Sequence, residues 1–382
     1  MPRPAPGPDR LSWIDQLRTL AIVLVVNLHA CVTYSHVGSW YIQEAPEPDL
    51  PAKMLFGLWE AHLQSFFMGL LFFVGGYFAQ RSVAKRGPGG FARERLLRLG
   101  IPTLFYMLVL HPLIVYGINP WGYDFGSRAA AYGHFLASGR VLDATGPMWF
   151  AAALLAFSAV LAAWRGLRGP APAGAGPAPG AAELLLWGLA AVGASFLVRT
   201  AAPIGGSFHN MQLCYFSQYI LAFGAGVAAG RHGWLAALAA SRRARVAGWL
   251  ALGLGPLAFF GVLVAAGLPQ GRGLDKIVGG WNLPALGYAT WEQLTGLGLA
   301  LGSLSFCLRR LNEATPLARW LSARSFGVYL LHPVFLVLIT VFLRRWPLDS
   351  FLKVSLLTGT GLALSFLASD LARRVPGIRQ FL

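Results

Sequence analysis

The sequence predicts an all-α polytopic membrane bundle of about ten transmembrane helices, both termini cytoplasmic, and three observations predict it. Of its 382 residues, 56% are hydrophobic and only 12% are charged, about half the charged share of a soluble domain. Apolar runs long enough to cross about 30 Å of hydrocarbon recur along the chain. Most of the 31 lysines and arginines fall on alternate connecting segments, the bias that cytoplasmic loops carry. Arg344 and Arg345 run against it. The net charge of +16 is then a topology signal; the expected partner is the lipid bilayer, and nucleic acid is excluded.

Taken in order, the spans are 11–34, 57–80, 96–118, 147–165, 182–199, 212–230, 245–267, 286–308, 322–343 and 350–370. The first has no small-residue cleavage site behind it and reads as a retained signal anchor. The run Arg165–Glu183 is almost wholly Pro, Ala and Gly. It offers no packing side chains, so it reads as a flexible cytoplasmic linker, about 165–182, inside a single domain of 1–382. Segments 35–56, 119–146 and 268–285 carry Trp40, Tyr41, Trp121, Tyr123, Tyr132 and Trp281. Aromatic rings at this depth form interfacial belts; the other reading is that some stack on a sugar. Cys31, Cys214 and Cys307 have no paired spacing, so they form no disulfide framework.

The first span is the one on which the chemistry is expected. It carries Asp15, Arg18, Asn27 and His29, and ionisable groups in hydrocarbon face a bundle interior or a water-filled cavity. Arg18 and His29 are eleven residues apart, about three helical turns, so they share one face roughly 16 Å apart along the axis. The Arg18 guanidinium is a planar fork suited to phosphate, or it pairs with Asp15 three residues earlier. His29 has the side chain suited to proton exchange near neutral pH. It is a general base for an attacking alcohol, an acyl-carrying nucleophile, or a histidine bonded to a neighbouring helix. Alignment with Arg18 favours the base.

Further candidates follow along the chain. Arg93, Arg95 and Arg98 in RERLLRLGIP put three guanidinium groups at the cytoplasmic mouth of the third span, either as an anion site or as snorkelling cations. Gly75 and Gly76, beside Tyr77 in FFVGGYF, permit close backbone approach, for which helix packing is the simpler use. Trp149 opens the fourth span in GPMWF. Tyr329 and His332, three apart in SFGVYLLHPVF, share a face beside Pro333. His62, Gln64, His111 and Glu292 are weaker polar candidates. No HEXXH, G-x-S-x-G, Walker A or cysteine-cluster motif is present, so no metal and no bound cofactor is expected.

These motifs resemble, in order, those of the acyltransferase type 3 family of bacterial membrane acyltransferases, which includes glucan-modifying members. The stretches that carry the likeness are Leu11–Ala30, Phe72–Phe78, Arg93–Pro102, Gly146–Leu155, Gln218–Leu235 and Ser325–Phe335. The resemblance implies O-acylation, such as O-acetylation, of a periplasmic or surface glycan in the cell envelope, from acetyl-CoA or succinyl-CoA as co-substrate, at the bacterial inner membrane. It places the essential pair at Arg18 and His29 and the donor site at Arg93, Arg95 and Arg98; beside it, Tyr77, Trp149, Tyr329 and His332 are expected to bind substrate or acyl-CoA. Family members often have Ser-Gly-Tyr where this chain has Gly75-Gly76-Tyr77, so no serine role is expected there. With no hydrolase-like segment after the tenth span, the membrane unit is expected to act alone or with a separate partner. The competing class is a transporter or flippase for a glycan or glycolipid, or a non-catalytic export subunit; few mid-membrane acidic groups argue against proton coupling.

Overall fold

The computed structural model describes residues 11–119, 127–169, 174–268 and 273–381. Trp121 and Tyr123 of the expected belt, and residues 170–173 of the linker, lie outside them. Among the described residues the regular structure is helical, apart from one extended bridge between Phe208 and Met211, with loops between the helices. The long helices are α1 (Ser12–Ser35), α2 (Leu50–Arg95), α3 (Trp149–Arg168), α4 (Ala181–Ala201), α5 (Phe216–His232), α6 (Arg242–Ala266), α7 (Leu283–Arg310), α8 (Ser325–Leu343) and α9 (Ser350–Ala372). Among the described residues eight helices are long and apolar enough to cross a membrane. The chain is a multi-pass membrane protein with an all-α fold.

Eight helices and ten expected spans differ for two physical reasons. Leu50–Ile118 is one 69-residue helical run, because the expected inner loop between spans 57–80 and 96–118 is itself helical. The run is broken at Gly87, whose φ of 73° and ψ of 167° leave the helical region in a conformation that glycine adopts without Cβ strain. The expected span 286–308 lies in α7, which is 28 residues long but carries Glu292, Gln293 and several glycines that lower its mean hydropathy.

Helix starts follow local chemistry. Asp49 caps α2 through the Ala52 amide at 3.0 Å, with Pro51 in the first turn. Ser241 caps α6, Asn282 caps α7 at 2.8 Å and Asp349 caps α9. Each side-chain oxygen satisfies an amide that has no partner within the helix. Asn282→Ala is expected to lower stability by about 1 kcal/mol, read as a reduced thermal midpoint of the detergent-solubilised protein.

Packing relies on small residues. Along the α2–α5 crossing, a Cβ at Gly76 would run into the Phe223 carbonyl, and one at Gly226 into the Phe73 carbonyl. Gly248 of α6 and Gly302 of α7 likewise meet backbone to backbone. Such contacts replace the hydrophobic drive that lipid cannot supply. The double glycine at Gly75-Gly76 thus serves packing at its second position. Around this frame α1 touches α2, α7, α8 and α9, so the helix with the candidate residues Arg18 and His29 is also the hub of one side of the bundle.

Two further connections bear on the architecture. The described part of the linker lies along the end of α5, where the Gly174 and Gly176 amides donate to the Arg231 and His232 carbonyls, and Arg243 of α6 donates to the Pro179 carbonyl. Between α4 and α7, Arg199 donates to Glu292 at 2.6 Å with both side chains 1% exposed. The guanidinium lies 5.2 Å from the Tyr215 ring centre and 5.7 Å from that of Tyr288.

Candidate active site

α1 carries Arg18 near its start and His29 near its end, and the two ends of the bundle differ in kind. At the Arg18 end, Arg18 lies within electrostatic range of Arg98, and Arg95 within range of both. Glu94 partly neutralises the group, holding Arg86 at 3.0 Å and Arg98 at 3.4 Å; Asp15 sits 4.0 Å from Arg18. The Arg95 guanidinium lies 5.2 Å from the Phe91 ring centre, and its Nε is buried without a hydrogen-bond partner. A donor desolvated in this way is costly unless something accepts from it. Arg93 is exposed and makes no ion pair with these residues. Tyr77 is buried beside Trp13, Ile14 and Leu17 of α1 and accepts a hydrogen bond from Arg81 at 2.9 Å.

At the other end, His29 meets His332 of α8. His29 Nδ1 lies 2.9 Å from His332 Nε2, and the rings are coplanar to within 1°. The far nitrogen of His332, Nδ1, lies 2.9 Å from the Tyr329 carbonyl and 3.2 Å from that of Val328. Carbonyls only accept, so His332 Nδ1 carries the proton and its Nε2 offers a lone pair. His29 Nδ1–H donates to that lone pair. The Nε2 of a neutral His29 is therefore the unprotonated nitrogen, and it has no hydrogen-bond partner among the described residues. His332 is fully buried whereas His29 is half-buried, so only the outer of the two rings is open to a reactant.

The 36–49 loop closes over this pair. The Trp40 indole stacks on the His29 ring at 3.8 Å between centroids and 12° between planes. Next to it, the Tyr41 hydroxyl meets the Tyr106 hydroxyl at 2.7 Å and His111 Nδ1 at 2.9 Å. Tyr106 and His111 face the same group because Tyr106–Leu110 is a π-turn, with the His111 amide bonded to the Tyr106 carbonyl. An i→i+5 turn places residues five apart one above the other, where an α-helix would separate them by about 140°. Burial away from water raises the Tyr41 phenol above its ordinary range, so Tyr41 stays neutral.

Tyr329 is buried and donates its hydroxyl to the Pro147 carbonyl. Through Phe150, centred 6.4 Å away, it adjoins an aromatic wall in which Trp149 stacks on Tyr219 at 5.7 Å. The structure thus joins His29, His332, Trp40 and Tyr329 at one end and Arg18, Arg95 and Arg98 at the other. Arg93, Tyr77 and Trp149 touch neither histidine. Trp40 and the Tyr41–Tyr106–His111 group were not separable by sequence from an aromatic belt, because a loop residue has no periodicity that relates it to a helix face. Among the described residues no three His, Cys, Asp or Glu side chains converge on a point.

Two cavities flank the bundle. One of about 520 Å³ lies among α2, α4, α5 and α7 and is almost wholly apolar; the other, about 490 Å³, lies between α4, α6 and α7. Neither is lined by His29, His332 or the arginine group.

No curated protein and no solved structure matches the chain. A family model described as an acyltransferase domain matches residues 11–370, from the start of α1 almost to the end of α9. With nearly its whole length in that match, the chain belongs to the acyltransferase type 3 family and is a membrane acyltransferase.

Proposed function

We propose that this protein moves an acyl group from cytoplasmic acyl-CoA, acetyl-CoA or succinyl-CoA, onto a hydroxyl of a periplasmic or surface glycan, and that it does so in the bacterial inner membrane. The observation that carries the reading is the unprotonated, open Nε2 of His29, whose tautomer is set by His332. In this reading His332 is a positioning residue. A base with one defined lone pair suits a reaction that starts by removing a proton.

His29 Nε2 takes the proton of the acceptor hydroxyl, and the hydroxyl oxygen forms a bond to the thioester carbonyl carbon. The carbon–sulfur bond breaks, and the departing thiolate takes the proton from His29 Nε2. Ester and free coenzyme A leave, and His29 returns to its neutral form. The arginine end is read as cytoplasmic and as the seat of the donor's phosphates, with Arg18, Arg95 and Arg98 as ligands. The buried Nε of Arg95 without a partner supports this. The face of α1 between Arg18 and His29, about 16 Å long, then lies along the donor's extended arm.

Two measurements test the reading. Purified protein in vesicles should transfer labelled acetyl or succinyl groups from acyl-CoA to a glucan or lipopolysaccharide fragment, with donor and acceptor on opposite sides of the bilayer. Movement of the unmodified glycan across the bilayer without acyl transfer would establish a transporter and overturn it. Arg95→Met should raise KM for acyl-CoA about tenfold, the worth of one charged hydrogen bond, with kcat little changed. An unchanged KM would remove Arg95 from the donor site.

A further inference from the structure

The loop that follows α1 does more than connect. Trp40 stacks on the open ring of the histidine pair, 3.8 Å away and nearly parallel, and lies 6.2 Å from the His332 ring. It is half-buried, so a membrane-belt role would waste its position. Several bonds hold it there. The Glu44 amide donates to the Thr33 carbonyl at 2.9 Å, and His36 Nε2 lies 2.7 Å from the Glu44 carbonyl. The Glu44 carboxylate pairs with Lys353 at the start of α9, both side chains 9% exposed. Tyr41, the next residue, is tied by its hydroxyl to Tyr106 and His111, and its carbonyl accepts from Asn119. The loop is thus anchored on both sides of the indole, to α1, α9 and the 96–118 segment.

An indole face is the strongest aromatic partner for a cation, ahead of phenol and benzene. The His29 ring becomes cationic in the step described above, when it holds the hydroxyl proton. His332 Nε2 already accepts from the Nδ1 edge of that ring, and Trp40 covers one face. What remains for the reactants is the Nε2 edge. We propose that Trp40 is a positioning residue for acyl transfer: its indole holds the plane of the His29 ring and stabilises the imidazolium as it forms. The inference rests on His29 acting as the base.

The test is a series at position 40 in the full-length protein, read as kcat and KM for acyl transfer from acetyl-CoA, beside His29→Ala. The expected kcat order is Trp, Tyr, Phe, Leu, with Trp40→Phe about threefold down and Trp40→Leu tenfold or more. KM for acetyl-CoA should stay within about twofold, since the arginine end binds the donor. In the His29→Ala background, Trp40→Leu should cause no further loss, because the indole acts only through that ring. If Trp40→Leu fails to insert, the Phe and Tyr variants carry the test through kcat alone. Equal kcat for all variants, with His29→Ala inactive, would overturn the role of Trp40 and leave the base intact. Full activity in His29→Ala would instead remove the base and this inference with it.

Discussion

His29→Asn should lower the rate of acyl transfer by about 100- to 10,000-fold, the range that a positioned general base supplies. Asparagine carries its amide N–H on the Cγ position, where the imidazole carries Nδ1, so it can still donate to His332 Nε2 and the contact between α1 and α8 survives. What is lost is the single basic nitrogen that faces away from His332. KM for the donor should change little, because the arginine group lies about three turns away along α1. The measurement is single-turnover transfer from labelled acyl-CoA by purified variant protein, with thermal unfolding in detergent to establish folding. Turnover equal to wild type in a folded variant would dismiss the histidine from the chemistry.

The second large effect concerns stability. Arg199 and Glu292 are both 1% exposed and bonded at 2.6 Å. Arg199 Nε and Nη1 and Glu292 Oε1 have no other partner. Gln293 Nε2 also donates to Glu292 Oε2 at 2.8 Å, but each charge is neutralised by the other, and removing one strands its mate in a low-dielectric interior. Arg199→Met or Glu292→Leu alone should therefore lower stability by about 3–5 kcal/mol, whereas the double replacement should recover most of the loss. Chemical unfolding in detergent micelles reads both. A double variant as unstable as the worse single one would show that the pair does more than neutralise itself.

How much of this was legible in the sequence differs by level. Apolar run length and the distribution of arginine were enough for the fold class, because a bilayer imposes both on any chain that crosses it. The sharing of a face by Arg18 and His29 follows from helical period alone. The helix through Arg81–Arg95 has the sequence of a loop, because clustered charge and the Gly87-Pro88-Gly89-Gly90 run carry the usual marks of one. The His29–His332 bond joins residues more than three hundred positions apart, and sequence offered only that each was an ionisable group in an apolar helix. The Tyr106–His111 alignment was hidden for another reason. It depends on a π-turn, and a five-residue spacing read with an α-helical period sends the two side chains to different faces. Trp40 had no helical period to place it.

The crossing of α2 over α5 has a mechanical corollary. Two main chains that touch through Gly76 and Gly226 present no side chains whose rotamers could take up a sliding movement, and any shift there would break the close interhelical approach along the whole seam. That seam works as a keel. Breathing that lets an acceptor in and an acylated product out must then be borne by the rim, where the 36–49 loop is tethered by a handful of hydrogen bonds and the Glu44–Lys353 and Glu47–Lys53 ion pairs.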